Sequence, residues 1–434
     1  MFLYNNQKGR INMSTISRRS FVGFMASSTA ALTAPNIAFG AAKPRVVVIG
    51  GGAGGATAAR YIAKDSKGEI DVTLVEASKH YYTCFFSNLY LGGYRDYGSI
   101  GHSYDQLTAN HGVNIVHEWA TSVDNTAKMV KLGSGASISY DKLVLSPGID
   151  LKYDSINGYS AAAQTRMPHA WKSGTQVQVL KDQVMNMREG GTFVMVAPPN
   201  PYRCPPGPYE RVSMIANLLK NNNPSASIIV LDPKTKFSKQ GLFMAGWEKH
   251  YPGMIEWIDG ETHGGITNVN PDTMEITTDL ETFKADAACI VPAQKAGAIA
   301  DAAGVTDGDW CPIVPASMQS RADENIYVLG DASVASAMPK SGFSANSQAK
   351  VAANHIRGSL TGSKVFDARF SNTCWSLVAT DDGIKVGASY KAGDEKIEVV
   401  DKFVSQGDEN SDVRKETYNE SIGWYSGITN DMFS

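Results

Sequence analysis

Four consecutive aliphatic residues, Val46-Val47-Val48-Ile49, run directly into Gly50-Gly51-Gly52-Ala53-Gly54-Gly55. A short apolar run of this kind suits a strand buried on both faces in a parallel sheet. Gly50, Gly52 and Gly55 then form Gly-x-Gly-x-x-Gly, with Ala53 inside the motif. Ala56, Ala59 and Ala63 share one face of a following helix, and Asp71–Val75 reads as a second strand ending in Glu76. Each part has a physical task. The first glycine permits a tight turn, the second lets backbone N–H groups approach a pyrophosphate, and the third allows close helix–strand packing. The helix N-terminus favours anionic phosphate, and the Glu76 carboxylate can accept from ribose hydroxyls. The stretch therefore predicts a dinucleotide site.

The chain has 434 residues, 43% of them hydrophobic, enough for two or three domains. At the N-terminus, Ser17-Arg18-Arg19-Ser20-Phe21-Val22 resembles a twin-arginine export signal. The apolar stretch after it is shorter than the ~20 residues needed to span a bilayer, and Ala38-Phe39-Gly40 offers a small-x-small cleavage site. Residues 1–40 are thus expected to be a signal peptide, and the mature protein to be periplasmic with no integral membrane segment. Losing Lys8, Arg10, Arg18 and Arg19 takes the formal net charge from −3 to about −7. No basic run suggests nucleic acid. The five cysteines make no Cys-x-x-Cys-His, so no haem is expected in this chain, and no paired spacing suggests a metal.

Eight residues separate Glu76 from Cys84, a reach of at most about 26–29 Å in extended chain. That suffices to follow a dinucleotide from its ribose to its far ring. Read alone, a cysteine among aromatics such as Tyr81, Tyr82, Phe85 and Phe86 is more often a buried packing residue. Tyr140–Gly148 reads as a strand ending in a tight turn at Gly148. A second β-α-β unit follows, with strand Thr192–Ala197, helix Ser213–Lys220 and strand Ser227–Leu231. Where another glycine fingerprint would stand, the chain has Pro198-Pro199-Asn200-Pro201-Tyr202-Arg203-Cys204-Pro205-Pro206-Gly207-Pro208-Tyr209-Glu210. Prolines lack N–H donors, so this unit is not expected to bind NAD(P)H. Further on, Asn325–Asp331 is a strand ending in an acid. Asp331 suits a ribityl hydroxyl or a plain helix-entry cap. Ser341 and Gly342 open a helix over Ser344–Arg357 whose N-terminus can stabilise negative charge. The tail from about Phe366 alternates β-type segments and carries Cys374 and Trp424.

This arrangement resembles the two-dinucleotide-domain flavoproteins of the glutathione-reductase superfamily, and within them the flavoprotein subunit of flavocytochrome c sulfide dehydrogenase. The carriers are Gly50–Gly55 with Glu76, Tyr82-Thr83-Cys84, Cys204–Glu210, Gly330-Asp331-Ala332, Met338–Gln348, Asn372-Thr373-Cys374 and Trp424–Phe433. The resemblance implies an α/β fold of two Rossmann-like domains plus an α+β C-terminal domain. Residues 41–157 and 297–365 would form a discontinuous FAD domain, 158–296 a second domain without an NAD fingerprint, and 366–434 the C-terminal domain. It further implies FAD linked covalently through Cys84, a redox-active Cys204–Cys374 disulfide, Glu210 as proton acceptor, and Trp424 near the flavin. Sulfide would be the substrate, and a c-type cytochrome subunit on a separate chain the heterodimeric partner. Cys289 and Cys311 are left as packing residues, with a second bridge between them an open alternative. Two rivals remain: a sulfide:quinone oxidoreductase, against which the charged Asp408–Glu416 argues, and a non-catalytic flavoprotein that maintains a partner sulfur-oxidising enzyme.

Overall fold

A computed structural model describes residues 42–172 and 174–434. The expected export signal lies outside the described residues. In chain order, β1 (Arg45–Ile49), α1 (Ala53–Ser66) and β2 (Asp71–Val75) are followed by β3 (Asn114–Val116) and β4 (Lys142–Leu145). Next come α2 (Thr175–Met185), β5 (Thr192–Val196), α3 (Gly207–Asn222), β6 (Ser227–Asp232), α4 (Gln240–His250), β7 (Ile255–Asp259) and β8 (Ala287–Ile290). The last third holds β9 (Ile326–Val328), α5 (Gly342–Thr361), β10 (Arg369–Ala379), β11 (Asp382–Ala392), β12 (Ile397–Val404) and α6 (Ser411–Phe433).

The first parallel sheet has the order β9-β4-β1-β2-β3. Val46, Val48, Leu143, Val144, Ile326 and Val328 within it are fully buried, as a sheet covered on both faces requires. Its edge strand β9 comes from 180 residues beyond β4, so the sheet closes only after the second one has been built. That second parallel sheet runs β7-β6-β5-β8. Antiparallel pairing of Ile149–Lys152 with Ala293–Ala296 ties the outgoing and returning chain together between the two sheets. The antiparallel sheet β10-β11-β12 follows, and α6 packs on it and on α1.

Two elements depart furthest from the sequence expectation. Helix α3 starts at Gly207, six residues before Ser213, because Pro208 sits in the first turn, where a missing N–H costs no hydrogen bond. Helix α6 spans 23 residues at the end of a tail whose sequence pattern names only β-type segments. Asn410 caps it by accepting from the N–H groups of Asp412 and Val413. Its inner face is Thr417, Ser421, Tyr425, Ile428 and Met432, spaced three or four apart. Polar members of that face, together with Gly423 and Gly427, hide the period from a hydrophobicity reading.

Candidate active site

A cavity of about 1160 Å³ opens between the sheets, and Gly50, Gly52, Ala53, Glu76, Cys84, Gly148, Cys204, Glu210, Asp331, Ser341, Gly342, Cys374 and Trp424 all line it. Gly55 is the one residue singled out in the sequence that does not. Its role is behind the cavity: a Cβ there would come within 1.8 Å of the Gly50 carbonyl oxygen. Gly50 itself has φ +98°, and a Cβ on it would meet the Ser146 carbonyl at 2.3 Å. Gly52 is different. A Cβ on it would meet nothing nearer than the Tyr81 ring at 3.5 Å, so protein packing does not demand glycine at this position. The demand comes from the cavity side.

These features fit FAD. Gly52 caps α1 without any side-chain acceptor, leaving first-turn N–H groups free for a pyrophosphate. Glu76 accepts from Gly51 N at 2.8 Å and Ser78 N at 2.9 Å, which fixes its carboxylate at the lip of β2. Asp331 pairs through one oxygen with Arg203 at 3.6 Å, while its other oxygen is buried with no partner at all. A buried carboxylate oxygen needs a donor, and a ribityl hydroxyl would supply one. Gly148 lines the cavity in left-handed conformation at φ +66°, as its turn was expected to require. Arg203 was not singled out from the sequence; nothing but its place beside Cys204 points to it.

At the other end of the cavity Cys84, Cys204 and Cys374 all face inward, each half-buried and unbridged. Cys204 has φ +61°, an unfavourable value for a residue with a Cβ. It is held there by its N–H to the Lys340 carbonyl at 2.7 Å. Its sulfur lies over Gly207, where a Cβ would come within 2.9 Å of it. Cys374 lies in β10, where Asn372 Nδ2 approaches its sulfur at 3.4 Å. Asn372 also accepts from the hydroxyl of Ser341, which caps α5 by accepting from Ser344 N at 3.0 Å. The cysteine is thereby coupled to the positive end of that helix. Burial raises the pKa of both thiols, and Cys374 is pulled back by Asn372 and by Lys239.

Glu210 is within Coulombic reach of both thiols. It accepts from Asn88 Nδ2 at 2.8 Å and from Leu377 N at 2.9 Å. Burial raises its pKa; these hydrogen bonds, with Lys239 and Arg211, moderate the rise. Trp424 packs with Phe85 at 5.5 Å, Trp375 at 5.3 Å and Phe343 at 6.1 Å between ring centres, forming an aromatic wall beside Cys84 and Gly342. Cys289 and Cys311 lie in separate cores, the first bonded to His169 O and Arg211 Nη1, both at 3.2 Å. They are packing residues, and the second bridge left open by the sequence is not formed.

The second sheet shows why its crevice differs. Asp232 ends β6 as Glu76 follows β2, yet it is fully buried. Tyr209 donates to it at 2.6 Å, Trp257 at 3.1 Å, and Lys234 pairs with it at 2.6 Å. The acid that could serve a ribose is consumed by the protein's own side chains. Lys234 also donates to the Pro198 carbonyl at 2.7 Å, at the start of the proline-rich loop.

Comparisons with known proteins agree with this geometry. Residues 44–186 match the pyridine nucleotide-disulphide oxidoreductase family. Residues 177–292 match the central part of the sulfide dehydrogenase [flavocytochrome c] flavoprotein chain, and 366–433 the flavocytochrome c sulphide dehydrogenase flavin-binding family. The sulfide dehydrogenase [flavocytochrome c] flavoprotein chain of Chlorobaculum thiosulfatiphilum is 54% identical over 44 residues, 90% of that relative and 10% of this chain. The chain belongs to the flavocytochrome c sulfide dehydrogenase flavoprotein family. It is therefore of a flavin-dependent oxidoreductase family. Two further relatives are a mitochondrial sulfide:quinone oxidoreductase of Dictyostelium discoideum, 23% identical over 41% of this chain, and a sulfide-quinone reductase of Aquifex aeolicus, 32% identical over 25%. The matches span only 39% and 25% of those relatives' own lengths. Among solved structures, the Aquifex aeolicus sulfide:quinone oxidoreductase superposes with a TM-score of 0.67 at 18% identity, covering 89% of this chain and 92% of that one. An NAD-dependent persulfide reductase from A. fulgidus gives 0.61 at 18%, covering 87% and 76%. At such identities these two share the fold.

Proposed function

We propose that this flavoprotein oxidises sulfide to sulfur or polysulfide through a Cys204–Cys374 redox pair beside FAD linked to Cys84, and passes the electrons to a c-type cytochrome on another chain. The observation that carries the reading is the meeting of Cys204, Cys374 and Glu210 at one end of a cavity whose other end has the features of a dinucleotide site. In the oxidised pair, hydrosulfide attacks one sulfur; the S–S bond breaks, and a persulfide and a thiolate result. Glu210 takes the proton released at the substrate sulfur, its basicity raised by withdrawal from water. Asn88 and Leu377 hold its carboxylate in place for this. Bound FAD supplies the ability to accept two electrons together and release them singly. Asp331 and the free N–H groups of α1 would hold it. The twin-arginine pattern supports export to the periplasm as a folded, cofactor-loaded protein.

A second acceptor, quinone, is suggested by the two relatives named for that activity. Among the described residues no helix is long and apolar enough to cross a membrane. Anaerobic titration with sulfide, followed by cytochrome c, a soluble quinone or NAD, tests the proposal. Bleaching of the flavin band by sulfide and rapid recovery with cytochrome c are expected. Recovery with quinone alone would shift the assignment to that acceptor, and no bleaching would leave only the non-catalytic flavoprotein.

A further inference from the structure

The steps above make no use of Lys239, yet its side chain is tied to the strand that carries Cys374. Its backbone has φ +61° at the entrance to α4, again a conformation unfavourable for a residue with a Cβ. From there the ammonium donates to the Cys374 carbonyl at 3.0 Å and the Ser376 hydroxyl at 2.9 Å, with a longer contact to Ile384 O at 3.5 Å. All three oxygens are uncharged. The acid within Coulombic reach, Glu210, is itself held by Asn88 and Leu377, and among the described residues the ammonium makes no ion pair, so a new anion beside it is favoured. The titratable groups that face Cys374 are Cys204 and Glu210 from α3 and its approach, Tyr390 from β11, and Lys239 from the start of α4. Among these, Lys239 is the cation. Cys204 has Arg203, already paired with Asp331, as its neighbouring cation, and it interacts with Lys239 more weakly than Cys374 does.

We propose that Lys239 is a positioning residue that places the thiolate of the opened cysteine pair on Cys374 rather than on Cys204. The inference rests on the sulfide-oxidising reading. Hydrosulfide then bonds to the sulfur of Cys204, the S–S bond breaks, and its electron pair leaves on Cys374. Cys204 first becomes a protonated persulfide, so one negative charge is present before and after the attack, and the persulfide hydrogen then passes to Glu210. The ammonium meets that charge where it appears, without reorganisation. Burial brings the pKa of Lys239 down to about 8, and negative charge on Cys374 opposes that fall, so ammonium and thiolate hold each other charged.

The test uses the full flavin-loaded chain, reduced with dithiothreitol and freed of it, then alkylated with iodoacetamide across about pH 5.5 to 10. Peptide mass spectrometry follows Cys374 and Cys204 separately. In the wild type Cys374 has the lower alkylation midpoint. Lys239→Met raises it by about one pH unit, Lys239→Arg restores it, and the Cys204 midpoint moves less. Equal midpoints in the wild type, an unmoved Cys374 profile in Lys239→Met, or an arginine variant that behaves like methionine overturns the proposal. Should Lys239→Met fail to fold, the wild-type comparison and Lys239→Arg decide it. Absence of sulfide turnover in the wild type would refute the sulfide reading, whereas the alkylation midpoints answer for Lys239 alone.

Discussion

The carboxylate of Glu210 accepts the backbone N–H of Leu377, three residues past Cys374, at 2.9 Å. One hydrogen bond thus stitches the helix that begins beside Cys204 to the strand that carries Cys374, across 167 residues of chain. Glu210→Gln keeps one acceptor oxygen and cannot serve Asn88 and Leu377 alike. A stability loss of about 1 kcal/mol is expected in chemical denaturation, with the rate of flavin reduction by sulfide lowered about 100-fold or more in stopped-flow.

On the proposed mechanism the same residue would set a pH dependence. The active form would be the carboxylate, and burial raises its pKa, so the rate per hydrosulfide is expected to rise with pH through a value above the ordinary glutamate range of about 4.3. The limb should vanish in Glu210→Gln. A limb that persists unchanged there would assign the proton to another group.

Cys204→Ser and Cys374→Ser each remove one half of the pair. Both variants are expected to load flavin normally, since neither residue belongs to the dinucleotide end of the cavity, and neither should bleach with sulfide. Bleaching at the wild-type rate in either would show that electrons enter by another path.

Two glycines three apart should respond in opposite ways. Gly55→Ala drives a methyl to 1.8 Å from the Gly50 carbonyl, and a loss of about 3 kcal/mol or more, visible as a lowered Tm, is expected. Gly52→Ala meets only Tyr81 at 3.5 Å, so the apoprotein should melt near the wild-type temperature while flavin loading, read by absorbance, falls sharply.

Covalent attachment is checked by acid precipitation. Yellow colour should stay with the wild-type pellet and leave with the supernatant in Cys84→Ala, whose native form still holds flavin through the remaining contacts of the cavity.

Much of this was legible before any coordinates. The strand, glycines, helix and acid from Val46 to Glu76 follow local rules of turn and phosphate chemistry, and they fold as those rules require. The proline-rich loop announced a crevice unsuited to NAD, but not the reason Asp232 is unavailable, because Tyr209, Trp257 and Lys234 reach it only through tertiary packing. Lys239 and Arg203 were invisible for the same cause. A lysine or arginine in a polar stretch reads as solvated until another strand is laid against it. Helix α6 escaped because its buried face is built largely from threonine, serine and a tyrosine rather than from aliphatic residues.

The occupation of Asp232 bears on how the protein would be wired. Were a nicotinamide coenzyme to seek the second crevice, it would have to evict a phenol, an indole and an ammonium from one carboxylate. On the sulfide-oxidising reading, traffic through the flavin would then begin at the cysteine sulfurs, and sulfur supply would govern how often the circuit fires.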